Sequence, residues 1–205
     1  MTDTPSPAAR TSPSTQRNRD PILAVLREVL PETGVVLEIA AGAGEHAIWF
    51  SRALPGLIWR PTDPDPSALE SIEAWRAAEG PPNLLAPLSL SAAQPDDWPV
   101  DQADAMVCIN MIHISPWAAT EGLMAGAGKV LKPGGVLYLY GPYREAGRPT
   151  APSNDAFDAD LKRRNPAWGL RLLEDVAAAA ARHGLTLSRR VEMPANNLSV
   201  VFVKG

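Results

Sequence analysis

The sequence has one cysteine and little histidine. A single thiol, Cys108, excludes an intrachain disulfide and a cysteine-built metal cluster. The three histidines, His46, His113 and His183, show no metal-ligand spacing, so no metal is expected. Cys108 lies in the apolar run Ala105-Met106-Val107-Cys108-Ile109 and reads as an inert, buried thiol. No stretch approaches the roughly 20 consecutive apolar residues of a membrane span. The N-terminus has no apolar signal-peptide core, so a soluble cytoplasmic protein with no membrane partner is expected. A broad basic face is also missing: 19 basic against 23 acidic residues leave a formal charge of −4. That balance argues against a nucleic-acid partner.

What is present fits one α/β domain. The chain has 205 residues, 45% of them apolar and 20% charged, enough to bury a core of its own. Residues 1–16 are rich in Pro, Ser, Thr and Ala, have little to bury, and are expected to form a disordered tail before a domain at 17–205. Asp20-Pro21 reads as a helix cap and first helical residue. Ile22, Val25, Leu26, Val29 and Leu30 then fall on one apolar helix face, and Pro31 ends it.

From there strand-like and helical segments alternate. Val35 to Ala40 reads as a buried parallel strand, followed by a small-residue turn and a helix through Ala47, Ile48, Phe50 and Leu54. Leu57 to Thr62 is the next strand, and Asp65-Pro66 opens a helix through Leu69, Ile72 and Trp75. Leu84 to Leu90 and Ala103 to Ile109 are strands. Ser115-Pro116 opens a helix to Leu131, and Lys132-Pro133-Gly134-Gly135 turns into the strand Val136 to Tyr140. Residues 141 to 168 read as irregular, with a short helix near Phe157 to Arg163. Leu172 to His183 is helical and ends at Gly184. Two strands, Leu185 to Glu192 and Leu198 to Lys204, close the chain as a hairpin. Repeated βα units imply a mostly parallel sheet covered by helices, and the hairpin implies an antiparallel edge strand.

In such a sheet, ligands bind beyond the carboxyl ends of the strands. The first βα turn is Glu38-Ile39-Ala40-Ala41-Gly42-Ala43-Gly44. Its small residues let backbone approach a ligand, and the next helix offers free N–H groups. Asp63, at the next strand end, can accept bonds from both hydroxyls of a ribose. A pyrophosphate site wants G-x-G-x-x-G, for which Ala47 in the last position is tolerable. A Glu38 carboxylate at the strand end would repel a pyrophosphate and suit a cationic ligand such as an ammonium or sulfonium. The plain alternative is a satisfied polar group. With Asp63 added, a nucleoside site is favoured.

Glu38 to Gly44, Asp63 and Lys132-Pro133-Gly134-Gly135 together resemble, in order, the motifs of class I S-adenosylmethionine-dependent methyltransferases. Arg17-Asn18-Arg19, Asn110 to Trp117, Tyr140-Gly141-Pro142-Tyr143, Ala151-Pro152-Ser153-Asn154 and Met193 to Asn197 resemble an uncharacterised methyltransferase-like family. In animals that family is methyltransferase-like protein 26, formerly a domain of unknown function. The resemblance spans roughly Arg17 to Val203. It implies a Rossmann-like class I methyltransferase fold with a seven-stranded, mostly parallel sheet. It also implies S-adenosylmethionine as cofactor, with S-adenosylhomocysteine as product. Two departures stand out: Ala40 replaces the first motif glycine, and Ser91 stands where an acid often meets the adenine amino group, with Asp96 or Asp97 as substitutes.

The resemblance also places candidate residues. Glu38, Ala40, Gly42, Gly44, His46, Asp63, Ser91 and Asn110 are expected at the cofactor. Arg17 and Asn18 are also expected at the cofactor, with Arg17 and Arg19 folding the N-terminus over its carboxylate, although a solvated arginine is the general case. The end of the fourth strand faces the methyl donor in this fold, so His113 is the candidate general base, against a histidine that only hydrogen-bonds a loop. Tyr140, Tyr143, Asn154, Trp168 and Asn197 are candidates for the acceptor pocket, with residues 144 to 170 as a lid. The expected activity is methyl transfer to a small molecule. A cofactor-binding protein without catalysis and a nicotinamide-dependent oxidoreductase are the alternatives.

Overall fold

The computed structural model describes residues 9–205. In chain order the elements are α1 (Pro13–Val29), β1 (Gly34–Ile39), α2 (Glu45–Ala53), β2 (Leu57–Asp63), α3 (Pro66–Glu79), β3 (Leu88–Ser89), β4 (Ala103–Ile109), α4 (Trp117–Val130), β5 (Leu131–Gly141), β6 (Tyr143–Arg144), α5 (Pro152–Arg164), β7 (Arg171–Leu172), α6 (Leu173–Ala181), β8 (Leu185–Met193) and β9 (Asn197–Lys204). Seven strands form one sheet in the order β3-β2-β1-β4-β5-β9-β8, and β6 pairs with β7 alone. β1 to β5 are parallel, while β9 runs antiparallel to both β5 and β8.

The sheet buries both faces, and residue parity decides which side chain goes where. Leu37, Ile39, Met106, Cys108, Leu137, Leu139 and Phe202 face α4 and α6. Val36, Ala105, Val107, Tyr138 and Val201 face α1 and α2. Cys108 is buried, and its surroundings push the thiol above its ordinary range. No described helix is long and apolar enough to cross a membrane.

Several boundaries differ from the sequence reading. α1 starts at Pro13, not Asp20. The same Xaa-Pro start signal occurs twice, and the earlier copy is used, with Ser12 at the cap and Pro21 inside the helix. Pro21 has no N–H for the preceding turn, and the apolar face of Ile22, Val25 and Leu26 keeps the helix on the core regardless. Residues 1–8 of the expected tail lie outside the described residues. β3 has two residues where a strand from Leu84 was expected. That segment meets β2 only near its ends, at Leu84–Leu85 and Leu88–Leu90, because Pro87 offers no donor between them. Pairing of β5 with β4 already begins at Leu131. A register shift and Gly134 at φ +77° interrupt it before the regular ladder from Val136. α5 spans 13 residues, longer than expected.

Candidate ligand-binding site

Strands β2 and β4 flank β1 on opposite sides. The chain winds away in both directions from this point, which opens a crevice at the carboxyl ends of β1 and β4. The turn from β1 into α2 fills its floor. Ala40, Gly42 and Gly44 all have positive φ, at +55°, +59° and +91°. At Ala40 the methyl therefore sits in the left-handed region, where an L-residue is strained by about 1 kcal/mol. A Cβ on Gly42 would meet nothing within 4 Å, so this glycine serves the turn and leaves space above it. A Cβ on Gly44 would stand 3.0 Å from the Ile72 backbone, so this one lets α3 approach.

Asp63 ends β2 and is 7% exposed. Its Oδ2 accepts from the Gly42 N–H at 2.9 Å and its Oδ1 from the Asp65 N–H at 2.9 Å. Two bonds fix the carboxylate and leave acceptor capacity on both oxygens. Beside it is a cavity of about 390 Å³ lined by Ala40, Gly42, Asp63, Ser91, Met111 and Ile114, among others. Four expected cofactor residues therefore share one cavity. Neither Asp96 nor Asp97 lines it. Asp96 is exposed and faces Lys129.

Glu38 is elsewhere. It is 2% exposed, lines none of the described cavities, and accepts the Trp59 indole N–H at 2.6 Å. Burial pushes its carboxyl up to about 8 against the lowering effect of that bond, and nearby Asp63 adds to the rise. It is a largely protonated core group at neutral pH, not the strand-end carboxylate expected to face a cation. The parity that puts Leu37 and Ile39 on one face turns Glu38 toward Trp59 on the other.

A larger cavity of about 800 Å³ adjoins the first at Ile114. Its wall comes from α1 (Ser14, Arg17, Asn18, Pro21), the loop after β4 (Asn110), the end of β5 (Tyr140, Pro142), α5 (Ser153, Asn154, Phe157) and the β8–β9 turn (Pro194, Ala195, Asn197). Arg17, Asn18 and Asn110, expected at the cofactor, thus share a wall with Tyr140, Asn154 and Asn197. Asn110 has φ +62°, and its N–H donates to the Tyr140 carbonyl at 2.8 Å. Asn154 donates to the Asn196 carbonyl at 2.9 Å, tying α5 to the hairpin turn. That turn holds Ala195 and Asn196 at positive φ, while Asn197 is extended.

Besides Glu38, four more expected site residues line no described cavity. Gly44 packs on α3. His46 is behind the wall, with Nε2 2.8 Å from Asn18 Oδ1 and its ring stacked on Phe50. Trp168 is half-buried under Arg164. His113 is fully buried and packs edge-on against Tyr143, and neither ring nitrogen has a partner at hydrogen-bond geometry among the described residues. Burial, with nearby Arg171, pulls it down to about 3. It lines neither cavity. Tyr143 lines a separate polar hollow with Glu145 and Arg190.

Sequence reading passed over Ser14, Pro21 and Ile114. Ile114 is 43% exposed and Phe157 39%, two of the few large apolar side chains left in solvent. An Ile following the His in the loop after β4 carried no periodic signal that could have marked it.

The fold is shared with solved methyltransferase structures at low identity. An O-methyltransferase family protein from Burkholderia thailandensis superposes with a TM-score of 0.78 at 16% identity, covering 94% of this chain and 57% of that one. Human N-acetylserotonin methyltransferase in complex with SAM gives 0.77 at 13%, covering 94% and 53%. A putative sarcosine dimethylglycine methyltransferase from Galdieria sulphuraria gives 0.72 at 15%, covering 97% and 92%. The chain thus spans little more than half the length of the first two. The α/β fold, with its seven-stranded, mostly parallel sheet, is that of class I methyltransferases. The model of one family, described as a protein of unknown function (DUF938), matches residues 9–204, and the chain belongs to that family.

Proposed function

We propose that this protein binds S-adenosylmethionine in the crevice above β1 and transfers its methyl group to a small molecule. One observation carries the reading: the Asp63 carboxylate is fixed at the end of β2 beside a cavity floored by the Gly42 turn. The residues fit the cofactor's chemistry. Asp63 would hold the ribose hydroxyls. Ser91, with Leu90 and Met111, would border the base. The open space over Gly42 would admit the amino-acid part. When bound, the cofactor supplies a sulfonium-activated methyl group. The chain's own task is to hold an acceptor in line with that group and to exclude water.

The neighbouring cavity suits an acceptor of modest size. Tyr140, Asn110, Asn154 and Asn197 would orient it, and α5 would act as the lid. The likeness to the methyltransferase-like protein 26 family belongs to this reading, as does a cytoplasmic, soluble setting without a nucleic-acid partner.

Glu38 no longer argues against a nicotinamide cofactor, because it is buried and mostly neutral. The sheet order argues instead. An antiparallel β9 between β5 and β8 departs from the parallel 3-2-1-4-5-6 order of dinucleotide folds. The test is calorimetric titration with S-adenosylmethionine, S-adenosylhomocysteine and NAD. Micromolar binding of the two sulfur nucleosides alone is expected. Binding of NAD, or of none of the three, would overturn the reading.

A further inference from the structure

The larger cavity is distinguished by the polar groups on its wall. Among the described residues it has four carboxamides (Asn18, Asn110, Asn154 and Asn197), the Tyr140 phenol, and one charge, Arg17. None of its described lining residues is an Asp, Glu, His, Lys or Cys. Most of these groups have assigned partners. Asn154 Nδ2 donates to the Asn196 carbonyl, and Asn197 Nδ2 to the carbonyls of Pro194 and Ala195. Asn18 is shared between His46 and the Tyr140 hydroxyl. Among the described residues, the Arg17 guanidinium and the Asn110 amide have no protein partner. The Tyr140 O–H is held at the same wall. All three are donors.

Among the described residues, the phenol and the histidines around this wall take no proton near neutrality. Burial raises the Tyr140 phenol, so it stays protonated. Behind the wall are Arg19 over Trp49, His46, and His113 beneath Gly141. Burial lowers His46 to about 4, with Arg19 adding to the effect. His113 is lower still and does not line the cavity. Methyl transfer to a neutral hydroxyl releases a proton that some base must take. This wall offers hydrogen-bond donors and no such base.

Granted the methyl-transfer reading, we infer that the acceptor enters already ionised at its reacting atom, as a thiolate or acidic phenolate on an apolar body. A lone pair of that anion forms the new S–CH₃ or O–CH₃ bond. The sulfonium C–S bond breaks as its electron pair passes to sulfur. Anion and sulfonium charges cancel, both products are neutral at the reacting atoms, and no proton moves. Arg17, Asn110 and Tyr140 select the anion by donating to it, and Ile114 and Phe157 cover its apolar body.

The experiment uses the full chain and two coloured probes, 4-nitrophenol and 4-nitrothiophenol, whose anions absorb at longer wavelength. Spectrophotometric pH titration without S-adenosylmethionine reads each bound probe's own ionisation. The bound pKa is expected to fall by about one unit, a tenfold preference for the anion, and Arg17→Gln should return it to the free value. A bound pKa that is unmoved or raised, or no binding at millimolar probe, overturns the inference. With S-adenosylmethionine present, the acid limb of kcat/KM should shift with the probe's pKa. A limb at one pH for both probes would reveal a protein base and also overturn it. Failure of S-adenosylmethionine to bind in calorimetry sinks the methyl-transfer reading itself. Intact cofactor binding with an unmoved probe pKa sinks this inference alone.

Discussion

The two adjoining cavities are made by different means. The smaller one is built by turns at the ends of neighbouring parallel strands, and its polar contacts are short-range along the sheet: Gly42 to Asp63, and Asp63 to Asp65. The larger one is assembled from five separate segments, from Ser14 to Asn197, and its shape depends on side-chain bonds such as Asn154 to Asn196. A site made of backbone turns is fixed by topology. A site made of distant side chains is free to vary while the fold stays the same. That is the arrangement expected of a common cofactor site beside a substrate site specific to one protein.

The sharpest way to break this contrast is at Gly141, beneath the larger cavity. Its φ is +156°, and a Cβ would stand 2.5 Å from His113 Nε2. Gly141→Ala should cost roughly 2–3 kcal/mol by overpacking, read as a fall in the denaturant midpoint with unchanged slope. A neutral outcome would mean that His113 is free to move.

The next effect is pH dependence, and it comes from the core behind both cavities. His46 and His113 fall from 6.5 to about 4 and about 3 on folding. Their contribution is complete above pH about 6.5 and is lost as pH falls toward those values. Glu38 rises from 4.5 to about 8, so its contribution is complete below pH about 4.5 and is lost as pH rises through 8. Two groups gain and one loses between about 4.5 and 6.5, and Glu38 acts alone above that. Stability should peak near pH 6.5 and decline by about 2 kcal/mol toward pH 8. Glu38→Gln should flatten that alkaline limb in denaturant melts across pH. An unchanged limb would show that Glu38 is ionised in the fold.

Asp63→Ala separates the two cavities directly. It should weaken S-adenosylmethionine binding about tenfold, or about 1.4 kcal/mol, and leave the anion preference of the larger cavity intact. Equal loss at both would mean that the cavities act as one. The smallest effect is at Ala40. Ala40→Gly should stabilise the fold by at most about 0.5 kcal/mol, relief of left-handed strain less the extra freedom of glycine in the unfolded chain. Destabilisation would show that φ is negative there in solution.

That the glycine turn and Asp63 meet at one cavity was legible because their signals are local: small residues after a strand, and an acid one strand later. The fate of Glu38 was not, because a strand residue's face is set by its neighbours' packing, here against Trp59. The burial of His113 was not legible for the same reason. Its place after β4 was right, but Gly141 and Tyr143 from another segment close over it. The start of α1 was missed because Ser12-Pro13 and Asp20-Pro21 are equivalent signals locally.

By itself the sequence determined the βα alternation, the seven-strand sheet with its closing hairpin, and the position of the crevice. These follow from hydrophobic period and from glycine and proline punctuation, which act over a few residues. Only the tertiary structure decided which polar side chains meet a ligand. Burial and partnership depend on segments far apart in the chain, and no local pattern encodes which of them come together.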